Sequence, residues 1–414
     1  MSEPIRADGF PADEVRARAR AGASCAFPPC QDYGVAAFGA RPAPRPHDPD
    51  GLDRLRLVPP VFMPGRLDKL VELGREPVYT DVVTETEISG FRVPVPLFVS
   101  ALGSTQLASS RLGDCIAEQA GTLGIPLVLG ENVVPVHGYG GLGRDAGGTM
   151  LARLGRYASC LRDGFGGVVI QQSTQDADAE VWNLVYSDPQ SYQLLSSGRL
   201  AFELKVGQGA KPGLGGMAIA SPADAPRLAD WFTIDQLFEG GGFLRSASPG
   251  TFTSEILRQQ VRFMRNSFPR AKAWVKLPPG RDVREAALVA WEAGADAVTV
   301  DGAEAGSGWA PSAFLGHVGL PLGTCLQLIG RRPQCLLACG RMWEGTRVVK
   351  SLALGARAAG LGRAALLAAD EDRKAGLIRL VECLTLEIKL LVSALGKYAC
   401  AELDPVDLWH PIEL

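Results

Sequence analysis

Short runs of apolar residues recur along most of this chain, and each run ends in glycine or in polar residues. Several runs are followed by apolar residues at spacings of three and four, which is typical of an amphipathic helix. Strands that alternate with helices in this way indicate a parallel sheet covered by helices. The predicted strands lie at residues 96–103, 125–133, 166–172, 200–210, 272–280, 296–306, 335–341 and 357–363.

Eight strand–helix units in about 270 residues agree in number and size with a closed (β/α)8 barrel. We therefore predict an α/β protein with the TIM-barrel architecture. An open doubly wound sheet is the alternative, but it usually shows G-x-G-x-x-G after its first strand, and the segment SALGSTQLASS has no such pattern. The most legible helices lie at residues 110–124, 254–268, 283–294 and 345–356.

The regions outside the strand–helix units suggest three divisions of the chain. We predict an N-terminal arm packed on the barrel at residues 1–90, the barrel at 91–369, and a C-terminal amphipathic helix and tail at 370–414. Residues 134–165 and 212–252 interrupt the strand–helix rhythm as long loops after the second and fourth strands. Because barrel enzymes build substrate pockets from such loops, both are candidate lids.

The charge pattern excludes some classes of partner. The 414 residues include 42 Lys and Arg against 45 Asp and Glu, a net charge of −3, so no basic surface for nucleic acid is expected. The first residues lack the apolar core of a secretory signal, and no window approaches about 18 uninterrupted apolar residues. We expect a soluble, cytoplasmic protein that does not enter a membrane.

The nine cysteines are scattered, and we expect most of them to be reduced and buried. Cys335 and Cys339 have the closest spacing to a zinc site, but a second pair is missing nearby. We therefore predict no metal site.

The seventh and eighth predicted strands both end in a glycine next to an arginine. We name Gly340, Arg341, Gly362 and Arg363 the phosphate seat. Glycine-rich turns at helix starts present backbone N–H groups to anions, and these two loops form the usual phosphate site of the fold. The alternative is that the glycines only make tight turns; the matching arginines favour a phosphorylated ligand.

Lysines are the other group expected at the barrel mouth. Lys205, Lys211 and Lys276 lie in or after predicted strands, whereas no histidine ends a strand, which disfavours a Ser-His-Asp hydrolase. Lysines beside an electron-accepting ring stabilise the charge that develops on reduction. A Schiff-base lysine and a buried structural ion pair are the competing interpretations.

Several strings resemble the FMN-binding barrel of glutamate synthase and its stand-alone bacterial relatives. That family shows QGAKPGEGG after its fourth strand, VKL at the fifth, DG..GGTGA.P at the sixth, DGG at the seventh and LGA...G.G at the eighth. This chain has QGAKPGLGG, VKL, DGAEAGSGWAP, ACGR and LGARAAGLG in the same order, within residues 50–396. QGAKPG is far more specific than a lone glycine motif.

The resemblance implies that FMN lies across the barrel mouth with its phosphate in the phosphate seat. It also implies that residues of the first strand line the flavin and that Gln171 or Gln172 of the third strand reaches its pyrimidine edge. Lys276 would lie near the flavin N1 and O2 atoms. The implied cofactor-binding residues are Ser100, Ala101, Leu102, Gln171, Gln172, Lys205, Gln208, Lys276, Asp301, Gly306, Ser307, Gly340, Arg341, Gly362 and Arg363.

The candidate catalytic residues are Lys205, Lys211, Glu131 and His137, with Tyr139 as another possible proton donor. A substrate carboxylate needs a cation that binds it through two hydrogen bonds. The candidates for that task are the loop arginines Arg144, Arg153, Arg156 and Arg162.

The residues expected to bind the flavin match the family pattern, whereas the substrate-facing side departs from it. Only Cys383 follows the eighth strand, where glutamate synthase has a cysteine cluster, so we predict FMN without an iron–sulfur centre. We also expect no glutamine-hydrolysing domain. Leu214 replaces the glutamate of QGAKPGEGG, and Cys339 replaces the aspartate of DGG, so formation of glutamate is doubtful.

The resulting functional prediction is an FMN-dependent oxidoreductase that transfers a hydride between flavin N5 and a small, carboxylate-bearing amine or imine. A flavin-dependent isomerase and a non-catalytic FMN-binding subunit of a complex are the alternatives. No dinucleotide fingerprint is present, so an electron-donor protein or a second substrate is expected to supply electrons. We also expect a homo-oligomer.

Overall fold

The computed structural model describes residues 4–32, 51–102, 111–130, 145–173, 180–230, 232–238, 242–306 and 310–410. Its strands are β1 (Arg56–Leu57), β2 (Thr86–Ile88), β3 (Phe91–Val93), β4 (Leu97–Leu102), β5 (Leu127–Leu129), β6 (Val168–Ser173), β7 (Leu200–Lys205), β8 (Met217–Ala220), β9 (Thr233–Asp235), β10 (Phe243–Ser246), β11 (Lys272–Leu277), β12 (Ala297–Asp301), β13 (Cys335–Cys339), β14 (Ala358–Leu361) and β15 (Leu408–Trp409).

Helices precede, separate and follow these strands. They are α1 (Ala12–Ala21), α2 (Pro64–Leu73), α3 (Arg111–Leu123), α4 (Asp145–Cys160), α5 (Val181–Ser187), α6 (Tyr192–Ser196), α7 (Ala225–Leu228), α8 (Ser254–Ser267), α9 (Val283–Glu292), α10 (Leu322–Ile329), α11 (Gly345–Ala353), α12 (Arg363–Glu371) and α13 (Gly376–Ala394).

The central sheet is a closed parallel barrel in the order β4, β5, β6, β7, β11, β12, β13, β14, and β14 pairs with β4 to close it. Each strand coincides with one of the predicted apolar runs, which confirms the (β/α)8 prediction. The predicted helices at 110–124, 254–268, 283–294 and 345–356 correspond to α3, α8, α9 and α11.

The two long loops predicted from the sequence contain regular structure. Helix α4 occupies residues 145–160 of the first segment, where its two adjacent glycines weaken the helical signal. The second segment contains β8, β10 and β9 as an antiparallel sheet. These strands are short and only partly buried, so their sequence lacks the clear alternation of a core strand.

The lower half of the barrel interior is filled by apolar side chains. It is closed from below by the hairpin of β2 and β3, whose Phe91 ring lies 5.6 Å from the Trp274 ring. The Trp274 indole N–H donates to Ser89 Oγ at 3.1 Å, so this buried polar group is satisfied. The barrel residues of this apolar layer are Phe98, Val128, Val169, Ala201, Trp274, Ala297, Leu337 and Ala358.

Segments at both ends of the chain pack on the outside of the barrel. Helix α1 contacts α12 and α13, and Arg16 pairs with Asp370 at 2.7 Å. Strand β15 pairs antiparallel with β1, so the two terminal segments also contact each other. Among the described residues, no helix combines the length and apolar character that crossing a bilayer requires.

Candidate functional site

Polar side chains line the barrel two and four residues beyond the apolar layer. Side chains alternate faces along a strand, so Phe98 points inward and so does Ser100, and Trp274 is followed in the same way by Lys276. These positions lie at the carboxyl ends of the strands, where barrel enzymes place their sites. The buried residues of this polar layer are Ser100, Gln171, Glu203, Lys205, Lys276, Thr299, Asp301 and Cys339.

Lys276 and Asp301 form a buried ion pair across neighbouring strands. Lys276 Nζ lies 3.2 Å from Asp301 Oδ2, which also accepts a hydrogen bond from the backbone N–H of Gly209 at 3.0 Å. Burial raises the pKa of Asp301, and the Lys276 charge opposes the shift. The lysine predicted to lie near the flavin therefore has its ammonium position set by Asp301.

Glu203 is the centre of a second buried group that the sequence reasoning missed. Its two carboxylate oxygens accept hydrogen bonds from Gln171 Nε2 at 2.6 Å and Thr299 Oγ1 at 2.9 Å. Burial raises the pKa of Glu203, whereas the Lys276 charge and both hydrogen bonds lower it. The signal was available, because Ala201, Glu203 and Lys205 alternate along one predicted strand.

Cys339 ends β13 inside the polar layer. Burial raises the pKa of its thiol, and the Lys276 charge opposes the shift. A Cβ atom on the neighbouring Gly360 would lie 2.5 Å from the sulfur, so the two positions are packed against each other. The residue that replaces the family aspartate is therefore a neutral packing group rather than a third buried carboxylate.

The loop QGAKPG carries further predicted residues to the same end of the barrel. Lys205 Nζ donates to Gln208 Oε1 at 3.0 Å, and Lys211 is buried. Glycine is required at 209, because a Cβ atom there would overlap the Gly302 carbonyl oxygen and the Ala305 side chain. The loop thus contacts the loop after β12 through bare backbone.

The two arginines of the phosphate seat lie close enough for their charges to interact. Burial and, after it, the positive charge of Arg341 lower the pKa of Arg363 to about 10. Arg363 donates to the backbone oxygen of Glu304 at 2.6 Å, and Arg341 pairs with Asp53 Oδ2 at 2.9 Å. A bound anion between two such cations would relieve their repulsion.

One feature of the phosphate seat differs from the prediction. The sequence placed both arginines at helix starts, and Arg363 does begin α12, but α11 begins only at Gly345. The backbone N–H of Gly345 donates to Glu387 Oε2 at 2.6 Å, so a carboxylate of α13 occupies that helix N-terminus. Of these two helices, α12 is the one that offers its N-terminus at the phosphate seat.

The remaining predicted residues divide into three groups. Ala101, Leu102 and Gln172 end their strands in partly buried positions, and Arg363 packs against Gly306. Glu131, His137, Tyr139, Arg144 and Ser307 lie outside the described residues. The loop arginines Arg153 and Arg156 lie near Asp114 of α3, and Arg162 stacks on Phe165.

Of these loop arginines, Arg162 lies at the amino end of the barrel. It lines a cavity of about 520 Å³ with Pro94 and Val95, the residues that precede β4. The amino end of the barrel is opposite the polar layer, so Arg162 cannot bind a substrate carboxylate there. The prediction for this residue is wrong because position in a long segment does not reveal which end of the barrel a residue faces.

The chain matches the model of one known protein family. The model of the conserved region in glutamate synthase matches residues 137–375, more than half of the chain. The matched range includes β6 to β14, and with them the phosphate seat and most of the polar layer.

Curated relatives show the same relationship. The archaeal glutamate synthase [NADPH] of Methanocaldococcus jannaschii is 30% identical over 179 residues, which cover 41% of this chain and 34% of that protein. A glutamate synthase large subunit-like protein of Rhizobium meliloti is 33% identical over 181 residues, covering 42% and 40%. The matched part of this chain therefore spans about a third to two fifths of the length of these relatives.

Solved structures share the fold over almost the whole chain. A soluble mutant of the membrane-associated (S)-mandelate dehydrogenase from Pseudomonas putida aligns with a TM-score of 0.55, 19% identity and coverage of 98% and 100%. A mutant flavocytochrome b2 with pyruvate bound aligns with a TM-score of 0.55 and 18% identity, covering 87% of this chain and 76% of that one.

Proposed function

The chain belongs to the family defined by the conserved region of glutamate synthase, and on that premise we propose that it is an FMN-dependent oxidoreductase. Its proposed substrate is a small amine or imine that carries a carboxylate. The relatives named as glutamate synthases and the fold shared with flavocytochrome b2 support the coarse assignment.

The described residues fit the two polar ends of FMN. Arg341 Nε is buried and has no hydrogen-bond partner among the described residues, so a donor is left over at the phosphate seat. Gln171 Oε1 and Asp301 Oδ1, two acceptors of the polar layer, are also buried without a hydrogen-bond partner among the described residues. Buried polar atoms without partners are costly, and a ligand with a phosphate at one end and amide-like groups at the other would satisfy them.

When bound, FMN would supply a ring that exchanges two electrons with a substrate. Lys276 presents an ammonium group at the barrel mouth, and its pairing with Asp301 prevents it from turning away. In this buried setting a fixed positive charge stabilises negative charge that develops beside it. Glu203 accepts a hydrogen bond from Gln171 Nε2, which fixes the orientation of the amide and leaves its Oε1 atom without a partner among the described residues.

Lys205 and Lys211 are the residues that support a carboxylate-bearing substrate. Both lie within or just after the end of β7, and Lys205 is held by Gln208. Two cations on one loop favour an anionic substrate over a neutral one.

Reducing electrons would come from a partner protein or a second substrate. A homo-oligomeric assembly stays a prediction.

The observation that carries this proposal is that Arg341, Arg363 and the buried Lys276 all lie at the carboxyl end of one barrel. The test is an absorbance spectrum of the purified protein, followed by anaerobic mixing with amino acids, which can donate a hydride to the flavin, and with matched amines that lack the carboxylate. We expect a bound-flavin spectrum and bleaching only by carboxylate-bearing compounds.

A colourless protein that takes up no FMN would overturn the proposed cofactor. Bleaching at equal rates by the matched amines that lack the carboxylate would overturn the substrate class alone. Lys211→Met is the companion variant, because Lys211 is not among the implied flavin contacts, so its loss should slow bleaching by carboxylates and leave FMN binding intact.

A further inference from the structure

We call the described residues before β2 (4–32 and 51–85) the N-terminal segment. Asp53 connects this segment to the loop that follows β13. Its Oδ2 atom lies 2.9 Å from Arg341 Nη1, and its Oδ1 atom lies 2.6 Å from Arg347 Nη1. The flanking side chains of Leu52 and Leu55 are buried in the main core, so the backbone that carries Asp53 is anchored on both sides.

Arg347 extends this connection to the backbone of the phosphate seat. Its side chain is 0% exposed, and its Nη2 atom donates to the Gly340 carbonyl oxygen at 3.3 Å. A guanidinium buried to this degree requires a counter-charge, and Asp53 supplies one. One carboxylate therefore orients the Arg341 side chain directly and holds Gly340 through Arg347.

Arg341 is the residue whose geometry most needs this support. Its φ angle is +49°, in the left-handed region that an arginine enters only at an energetic cost. Such a conformation persists when neighbouring contacts determine it. The ion pair with Asp53 is such a contact, and it leaves the buried Nε atom of Arg341 as a donor.

The N-terminal segment also contacts the other arginine of the phosphate seat. The Arg363 guanidinium carbon lies 4.5 Å from the centre of the Phe10 ring. Phe10 is itself buried, so the ring forms a fixed support beneath the guanidinium. Phe10 and Asp53 both lie before residue 137, where the family match begins.

We propose that the N-terminal segment is part of the cofactor site, with Asp53 as the positioning residue of the phosphate seat and Phe10 as a secondary support. The inference rests on the proposed FMN function and assigns a role to residues outside the family match. A negative charge near a phosphate by itself weakens binding of that phosphate, so removing the charge would tighten FMN binding if Asp53 acted only through its charge. If Asp53 positions the phosphate seat, removing its charge weakens FMN binding instead.

The test compares binding of FMN and riboflavin to the flavin-stripped full chain by fluorescence titration. Riboflavin has the same ring but no phosphate, so it reports every part of the site except the phosphate seat. Asp53→Asn should raise the Kd for FMN about tenfold, which corresponds to the loss of one charge-assisted hydrogen bond. The Kd for riboflavin should stay unchanged.

Asp370→Asn is the matched control. Asp370 also pairs with an arginine of the N-terminal segment, Arg16 at 2.7 Å, and its side chain is similarly sheltered, but it does not touch the phosphate seat. This variant should leave both dissociation constants unchanged. Asp53→Glu keeps the charge and displaces the carboxylate, so positioning predicts weaker FMN binding than in the wild type.

The outcomes are distinguishable. Equal weakening of FMN and riboflavin by Asp53→Asn, tighter FMN binding, or no change would each overturn the inference. If Asp53→Asn does not fold, as judged by circular dichroism, Phe10→Leu takes its place and should weaken FMN about threefold without affecting riboflavin. A wild-type protein that binds neither flavin would overturn the proposed function itself.

Discussion

The two layers inside the barrel use the same strands for opposite purposes. The apolar layer, with Trp274 at its centre, is closed by the β2–β3 hairpin and contributes packing. The polar layer, two residues further along, contains buried charges such as Lys276 and Glu203. Burial of the apolar layer stabilises the folded barrel. That stabilisation offsets the cost of burying charged groups in the polar layer.

The largest effect is expected from breaking the apolar layer. Trp274→Ala removes a side chain that is 0% exposed, and we expect a loss of about 3–5 kcal/mol in the free energy of unfolding, because the cavity cannot be refilled. Urea denaturation measures it. Trp409→Ala is the matched control, since Trp409 is 48% exposed and its loss should cost less than about 1 kcal/mol. Similar losses in both variants would contradict the division into layers.

The next effect concerns the charge of the polar layer. Lys276→Met should leave a folded protein whose flavin is reduced about 100-fold more slowly, because the fixed positive charge is lost. Stopped-flow absorbance measures the rate. Lys276→Met also leaves Asp301 buried without its counter-charge, so the variant should be less stable.

A second substitution separates the two consequences. Adding Asp301→Asn removes the unpaired carboxylate and should restore stability without restoring the reduction rate. Unchanged reduction kinetics in Lys276→Met would show that this lysine does not act on the flavin.

The smallest effect is a change in how stability depends on pH. Burial raises the pKa of Glu203 above its ordinary value of 4.5, so its contribution to stability is fully present below pH 4.5. That contribution is lost as the pH rises through the higher pKa of the folded state. Glu203→Gln lacks this titration; its amide oxygen can still accept from Gln171 Nε2, and its amide nitrogen can donate to Thr299 Oγ1 in place of the bond that the carboxylate accepts.

The expected result is that the Tm of Glu203→Gln, relative to the wild type, increases as the pH rises from 4.5 towards neutrality. Thermal unfolding over that range, with both proteins in the same buffers, measures the difference. A difference in Tm that stays constant with pH would mean that Glu203 ionises in the folded protein as it does in the unfolded chain.

Much of the fold was predictable because it depends on local patterns. A strand–helix alternation predicts a parallel barrel, and the barrel brings the ends of its strands together, so Ser100, Gln171, Lys276 and Arg363 could be placed at one mouth. The sheet of β8, β10 and β9 was missed because short, half-exposed strands have no strong alternation. The roles of the predicted site residues stay predictions until flavin binding is measured.

The sequence by itself determined which strand residues reach the barrel mouth, because strand order and the alternation of faces follow from local periodicity. Only the tertiary structure decided how those residues are paired. Asp53 meets Arg341 across 288 positions of sequence, and Glu203 meets Thr299 across 96. Such pairings, and the burial that shifts the pKa values of Glu203 and Asp301, exist only after the chain has closed into a barrel, because they depend on distances in space.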